Sequence, residues 1–276
     1  MTDKYAVIGN PISHSKSPLI HAAFAKQTNQ DMSYEAILAK VDGFKNKTHE
    51  LIKVGFKGAN VTVPFKFAAF NLCDELTMRA QLAGAVNTLT FKQGKIYGDN
   101  TDGRGLVCDI SQNLNVEIQH KNLLLMGAGG AAYGVVLPLL EAGAILTVAN
   151  RTPEKAVKLA ATFNDLKLGK VLIKAGNIAQ FKNQVFDIIV NATSTGLTDD
   201  LPEINVNNFA TNCLAYDMMY SRETPFMALA RAAGAQVADG LGMLVEQAAE
   251  AFYLWRNVRP QTASVITLLN NSVPKA

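Results

Sequence analysis

The sequence predicts an α/β protein of two domains: an N-terminal domain on a mixed, mainly parallel sheet, and a C-terminal domain on a doubly wound parallel sheet. Three observations carry this. Strand-like and helix-like segments alternate along nearly the whole chain, a glycine-rich turn follows the apolar run Asn122-Leu123-Leu124-Leu125-Met126, and a cluster of turn formers at Asp99-Asn100-Thr101-Asp102-Gly103 divides the alternation in two. At 276 residues the chain is too long for one compact core. The expected division is 1–102 and 103–240, separated by a cleft, with helices from about 241 to 276 packing back on the first domain.

Taken in order, KYAVIG reads as a strand, and Ser17-Pro18 opens a helix with serine as N-cap and proline at the first helical position. MSYEAILA is a strand, residues near 43 to 54 a helix, and GANVTV a strand that Pro64 ends. A second helical stretch is expected from about 65 to 80, and VNTLTF and KIYGD then flank Lys92-Gln93-Gly94 as a hairpin. The first sheet is therefore mixed. Beyond the turn cluster, RGLVCDISQNL is helical, and NLLLM, AILTVAN, VFDIIVNAT and CLAYDMMY read as strands, with the helices AAYGVVLPLLEAG and PEKAVKLAATF between them. Pro138 should kink the first of these helices. From 241, Leu241, Leu244, Val245, Ala248 and Phe252 fall at helical spacing, and a last helix covers about 262 to 272.

Composition narrows the function classes. The chain is 49% hydrophobic and 18% charged, which suits a globular protein, and a net charge of +3 without a basic run argues against nucleic acid as partner. No apolar run reaches the roughly 18 residues needed to span a bilayer, and the start MTDKYAVIG has no signal-peptide pattern, so a cytoplasmic protein is expected. Cys73, Cys108 and Cys213 are scattered, and His14, His21, His49 and His120 form no ligand spacing, so no disulfide framework and no metal are expected. Monomer and homodimer both fit the sequence.

Two sites stand out. Gly127-Ala128-Gly129-Gly130-Ala131-Ala132 follows a strand and opens a helix, matching G-x-G-x-x-A. The first glycine permits the tight turn, the second lets a pyrophosphate approach the backbone, and the small third residue allows close helix packing. This predicts a Rossmann-type dinucleotide domain. After the next strand stand Asn150, Arg151 and Thr152, with Lys155 one turn later, where an acid would bind the ribose of NAD. A guanidinium fork and a second cation favour the 2′-phosphate of NADP. Asn191-Ala192-Thr193-Ser194-Thr195-Gly196 ends another strand at the ligand edge of the sheet, either lining the cofactor or serving as a polar turn.

The second site is Asn60-Val61-Thr62-Val63-Pro64-Phe65-Lys66. Asn60 and Thr62 share a strand face, so two hydrogen-bonding side chains converge near its end, where a ligand would sit. Lys66 then falls in the first turn of a helix, where the macrodipole disfavours a cation by up to about 1 kcal/mol. Stability alone would not place it there. Asp102, at the boundary between domains, suits either a turn or a pairing with Lys66. Ser15 and Ser17 suit either a loop and cap or a carboxylate at a helix N-terminus, and Gln247 beside Met243 is either solvated or turned to a ligand.

Together the segments IGNPISHSKSP, GANVTVPFK, LAGAVNTL, GDNTDGRG, GAGGA, NRT, NATSTG, YDMMY and DGLGMLVEQAAEAF resemble, in this order, the shikimate dehydrogenase family over nearly the whole chain. The resemblance implies a cytoplasmic oxidoreductase acting on a CH–OH group, reducing 3-dehydroshikimate to shikimate with NADPH on the route to aromatic amino acids. It implies that Ser15 and Ser17 bind the substrate carboxylate and that Thr62, Asn87, Asp102, Gln247 and Tyr220 contact the ring hydroxyls. Lys66 would be the acid/base, paired with Asp102. Gly127, Ala128, Gly129, Gly130, Ala131, Asn150, Arg151, Thr152, Lys155, Thr193, Met218, Gly240 and Met243 would line NADP. Two departures are visible: Met78 stands where some members carry an acid, and Ala131-Ala132 stands where a serine is often found. Arg151 argues against an NAD-preferring quinate/shikimate member. The joint presence of Lys66 and Asp102 argues against a non-catalytic sensor, and the Ser15, Ser17 and Asn60 to Lys66 set argues against a folate-type dehydrogenase.

Overall fold

Apolar runs of five to seven residues, too short for helices and bounded by turn formers, become the central strands of two sheets. The computed structural model describes residues 2–166, 172–193 and 203–272. The chain forms two units, Met1–Gly105 with Val245–Ala276, and Leu106–Leu244.

In the first unit, β1 (Asp3–Gly9) leads through α1 (Ser17–Gln27) to β2 (Met32–Leu38), and α2 (Phe44–Lys53) leads to β3 (Phe56–Val61). After α3 (Lys66–Leu72), β4 (Glu75–Leu76) and α4 (Met78–Ala83) come the hairpin strands β5 (Thr88–Lys92) and β6 (Lys95–Asp99). The described strands are ordered β2-β1-β3-β5-β6-β4. β1 lies parallel to β2 and β3, while β5 is antiparallel to both β3 and β6, so the sheet is mixed. β1 is buried from Tyr5 to Gly9, as expected of a parallel strand covered on both faces. The core around it joins Ile8, Phe44, Phe65, Val86 and Leu89.

In the second unit, α5 (Asp102–Cys108) and a π-helical turn (Asp109–Asn113) precede β7 (Asn122–Met126), α6 (Gly130–Glu141), β8 (Ile145–Ala149) and α7 (Pro153–Asn164). β9 (Lys174–Gly176), β10 (Phe186–Asn191), β11 (Phe209–Asp217), α8 (Pro225–Ala232) and β12 (Gln236–Ala238) follow. The described strands are ordered β12-β11-β10-β7-β8-β9, all parallel. The order reverses between β7 and β10, which makes their carboxyl ends the switch point at which doubly wound sheets bind ligands. α9 (Leu241–Arg256) and α10 (Ala263–Ser272) then return the chain to the first unit.

Several local expectations are corrected. Ser17 is the first residue of α1 and not its N-cap, which is Lys16; the Ser17 N–H donates instead to Ser15 Oγ at 3.3 Å. β3 stops at Val61, three residues before Pro64, because Thr62 to Phe65 close a turn in which the Phe65 N–H donates to the Thr62 carbonyl at 2.9 Å. The expected helix over 65 to 80 is two short helices with β4 between them, since Asp74 leaves the helix to accept from the Ile96 N–H at 2.7 Å. β9, α8 and β12 went unread because the strands are three residues long and α8 follows an irregular polar loop.

Candidate active site

Lys66 is held in place by its neighbours. Phe65 is buried and its ring stacks on Phe44 at 5.0 Å, so the residue before the lysine is anchored in the core. The Lys66 carbonyl accepts from the Val86 N–H at 3.0 Å, tying the start of α3 to the segment that carries Asn87. Lys66 Nζ lies 2.6 Å from Asp102 Oδ2, with the lysine side chain 31% and the aspartate 14% exposed. Asp102 opens α5, where its negative charge is favoured by the helix dipole, while Lys66 opens α3, where its positive charge is not. The ion pair therefore offsets the unfavourable position of the lysine and leaves the ammonium partly open to a ligand.

A second shell of hydrogen bonds aligns this pair. Asn87 Nδ2 donates to Asp102 Oδ1 at 2.8 Å, to Thr101 Oγ1 at 2.9 Å and to Gln247 Oε1 at 3.3 Å. Asn87 Oδ1 accepts from the Thr101 N–H at 2.9 Å and from Thr88 Oγ1 at 2.8 Å. Four separate stretches of chain thus converge: the start of α3, the entry to β5, the link from β6 into α5, and the middle of α9. Only the nearness of Asn87 to this segment follows from the hairpin; its bond to Asp102 does not. With Gln93-Gly94 as a two-residue turn, counting outward pairs Thr88 with Asp99, which leaves Asn87 beside the residues just before Asp102.

Behind Asn87 lies Asn60, expected to face a ligand. It is buried, its Oδ1 accepts from Tyr34 OH at 2.7 Å, and its Nδ2 donates to the Asn87 carbonyl at 3.2 Å and to Thr88 Oγ1 at 3.1 Å. Its amide is occupied by protein. Thr62, one residue past β3, is half-buried, and its N–H donates to the Ile8 carbonyl at 3.0 Å. Burial raises the Tyr34 phenol well above its ordinary pKa, and the Ser17 hydroxyl nearby works the other way. Ser15 is half-buried and Ser17 buried, both where α1 begins. Under the Tyr34 ring lies His21, stacked at 4.0 Å with 8° between the planes and fully buried. Neither imidazole nitrogen has a hydrogen-bond partner among the described residues, and burial pushes its pKa down to about 3 against a smaller opposing effect of Asn60. Tyr34, Thr88, Thr101 and His21 went unread because each carries its role through a contact distant in sequence.

The second unit builds its site mainly from backbone. Gly127 sits at φ +107°, and a Cβ there would fall 2.9 Å from the Ala192 carbonyl oxygen, so β7 and β10 can come this close only with glycine. Gly129 caps α6 in an extended conformation, and a Cβ built on it would meet nothing within 4 Å. With Ala128, Gly130 and Ala131 it leaves the N-terminus of α6 open, while Ala132 is fully buried against the sheet. After β8, the Asn150 side chain donates to the Thr152 carbonyl at 2.9 Å and so shapes the loop that carries Arg151. The Arg151, Thr152 and Lys155 side chains are exposed and have no hydrogen-bond or ion-pair partner among the described residues.

At the ends of β10 and β11, buried Asp217 accepts from Asn191 Nδ2 at 3.0 Å, Thr224 Oγ1 at 2.6 Å and the Met219 N–H at 2.9 Å. Thr193 Oγ1 donates to Asn191 Oδ1 at 2.6 Å, while Ser194, Thr195 and Gly196 lie outside the described residues. Met218 and Tyr220 follow β11 and are half-buried, burial raising the Tyr220 pKa. Gly240 is buried against the Met218 carbonyl, where a Cβ would overlap it. Met243 is buried, its N–H donating at 3.2 Å to Tyr216 OH, which in turn donates to Asp109 Oδ2 at 2.6 Å. The donor set fits a dinucleotide phosphate: an open helix N-terminus, a glycine turn and two cations with no other partner.

Comparison with known proteins extends this reading. Residues 7–89 match the family described as shikimate dehydrogenase substrate binding domain, residues 109–199 that described as shikimate / quinate 5-dehydrogenase, and residues 240–269 the shikimate 5′-dehydrogenase C-terminal domain. The chain is 56% identical over 269 residues to the shikimate dehydrogenase (NADP(+)) of Methylobacillus flagellatus, covering 97% of this chain and 98% of that one. Among solved structures it is similar to an Ael1 enzyme from Pseudomonas putida, with a TM-score of 0.90 and 46% identity over 97% of this chain and 98% of that one. The shikimate 5-dehydrogenase of Thermus thermophilus in complex with NADP(H) and shikimate gives a TM-score of 0.85 and 32% identity over 98% and 99%.

Proposed function

Since the chain belongs to the shikimate dehydrogenase family, we propose that Lys66 is the acid/base of its reaction, held by Asp102 and Asn87. The reaction itself is the reversible, NADP-dependent interconversion of 3-dehydroshikimate and shikimate in the shikimate pathway. The observation that carries the assignment of roles is the 2.6 Å pair of Lys66 Nζ and Asp102 Oδ2, with Asn87 holding the other oxygen of the same carboxylate.

NADPH, when bound, supplies the hydride to the ketone carbon. As that carbon is reduced, negative charge develops on its oxygen, and Lys66 delivers a proton there from an ammonium that is still partly open. Asp102 keeps the lysine aimed and accepts from a ring hydroxyl, and Gln247 and Thr62 complete the hydroxyl contacts. Asn60 supports Asn87 from behind, while Ser15 and Ser17 receive the substrate carboxylate at the start of α1. Family resemblance also gives Tyr220 a hydroxyl contact.

On the cofactor side, Gly127, Ala128, Gly129, Gly130 and Ala131 would hold the pyrophosphate, and Arg151, Thr152 and Lys155 the 2′-phosphate, with Asn150 shaping their loop. Thr193, Met218, Gly240 and Met243 would line the nicotinamide side. The side chains of Arg151 and Lys155 support NADP over NAD, because a ribose diol needs an acceptor and these are donors. The cytoplasm, which supplies reduced NADP, is the proposed compartment; no helix among the described residues is long and apolar enough to cross a membrane.

The deciding assay follows absorbance of reduced nicotinamide with shikimate and with quinate, each offered NADP and NAD. Turnover of shikimate with NADP is the expected result, and none would overturn the reading.

A further inference from the structure

Away from the reacting groups, the first unit contains an ion network that the mechanism above does not use. Arg79, on α4, grips Asp99 through both carboxylate oxygens, with Nε 2.6 Å from Oδ1 and Nη2 2.7 Å from Oδ2. The far side of the same guanidinium reaches Glu250 on α9, with Nη1 and Nη2 at 3.2 Å and 3.1 Å from Oε1, and Glu250 Oε2 is paired with Arg259. Asp99 is 6% and Glu250 8% exposed, so both carboxylates are buried; Arg79 balances the charge of Asp99 and shares that of Glu250 with Arg259.

The positions of these two acids matter more than their charge. Asp99 is the last residue of β6, three before Asp102, and its Oδ1 also accepts from the Asn100 N–H at 2.7 Å and Thr77 Oγ1 at 2.7 Å. Asn100 Oδ1 accepts from the Asp102 N–H at 3.2 Å, so the chain from Asp99 to Asp102 is braced residue by residue. Glu250 lies three residues after Gln247, nearly one turn along the same face of α9. Gln247 is the residue through which α9 meets Asn87 and Thr101.

From this geometry we propose that Arg79 is a positioning residue for the substrate site: its planar fork clamps β6 to α9 and thereby sets Asp102 and Gln247 at their spacing around Asn87. Arginine suits this because one rigid guanidinium can meet two carboxylates at once, whereas a lysine ammonium is a point donor. A merely stabilising bridge would make Arg79 matter for melting alone; a positioning bridge makes it matter for shikimate and not for NADP. The inference rests on the reading of Lys66, Asp102 and Gln247 as the substrate site.

The test is steady-state kinetics on Arg79→Met, Arg79→Lys, Gln247→Ala and the double variant Arg79→Met with Gln247→Ala, alongside thermal melts. Arg79→Met should lower kcat/KM for shikimate by about 10-fold to 100-fold while the KM for NADP stays within about twofold, since small displacements at a reacting site have effects of that size. Arg79→Lys should fall between it and the parent. In the Gln247→Ala background the same Arg79→Met change should lower kcat/KM by less, because the gap it governs has already been opened. Trp255, the chain's one tryptophan, lies five residues after Glu250 on α9, stacks on Tyr5 and donates to the Leu89 carbonyl at 3.1 Å, so its emission reports whether α9 is still seated. Should Arg79→Met fail to fold, Arg79→Lys and Glu250→Gln read the same quantities. Parent-like shikimate kinetics in a variant that only melts earlier would overturn the proposal, as would equal losses for shikimate and NADP or a fully additive double variant. Absence of shikimate turnover in the parent protein would instead remove the functional reading beneath it.

Discussion

The proposed substrate site of the first unit and the proposed cofactor loop of the second are built by opposite means. Around Lys66 nearly every polar side chain is already engaged: Asp102, Asn87, Thr88, Thr101 and Gln247 hold one another before any substrate arrives. Around Gly127 the work falls to the backbone, with glycines that let β7 approach β10 and exposed side chains, Arg151 and Lys155, that touch no other described group. The difference follows from what each ligand needs. Proton transfer needs an ammonium aimed within a few tenths of an ångström, which only a network of side chains secures; a phosphate is met by any open helix N-terminus of the right shape.

Four predictions sharpen that contrast. Lys66→Ala should have the largest effect, lowering kcat by roughly 10²-fold to 10⁴-fold, while calorimetry still shows shikimate binding. Near-normal turnover in that variant would mean the network orients some other acid. Arg151→Ala should come next, raising the KM for NADP by about 10-fold to 100-fold, the worth of a charge-assisted bond to phosphate, and leaving turnover with NAD almost unchanged. An equal effect on both cofactors would place Arg151 away from the 2′-phosphate. Third, Gly127→Ala should lower unfolding stability by about 1–3 kcal/mol in a urea titration, because alanine is strained at positive φ and its methyl would crowd Ala192.

The fourth prediction concerns His21, whose effect is spread over several pH units. Its pKa is about 3 in the folded chain against 6.5 in the unfolded one, so between these values the unfolded state binds the extra proton. Stability present above pH 6.5 should therefore fall as pH is lowered toward about 3, by up to about 1.4 kcal/mol per pH unit from this group. His21→Phe keeps a flat ring under Tyr34 and should flatten that slope, measured as urea midpoints at several pH values. An unchanged slope would assign the acid sensitivity to other groups.

Legibility differed between the two regions for the same reason that their construction does. The glycine loop was readable because its constraint is local: a strand, a tight turn and a helix start within a dozen residues. Lys66 was noticed because a cation in a first helical turn is an anomaly visible within one segment. The partners of Asn60 were not legible, since alternation on a strand says which way a side chain points and nothing of what already fills that space. Tyr34 and His21, meeting Asn60 from β2 and α1, had no local signal at all.

By itself the sequence determined the two sheets, the glycine turn that opens α6 and the candidacy of Arg151, Lys66 and Asp102, all of which are written in spacing within single segments. Tertiary structure alone decided that Asn87 is the hub joining Asp102, Thr101 and Gln247, that Asn60 is a buried support, and that Arg79 bridges Asp99 and Glu250. The physical reason is range. Propensity and periodicity act over a few residues, whereas a hydrogen bond between residues 87 and 247 exists only because packing has placed β5 beside α9.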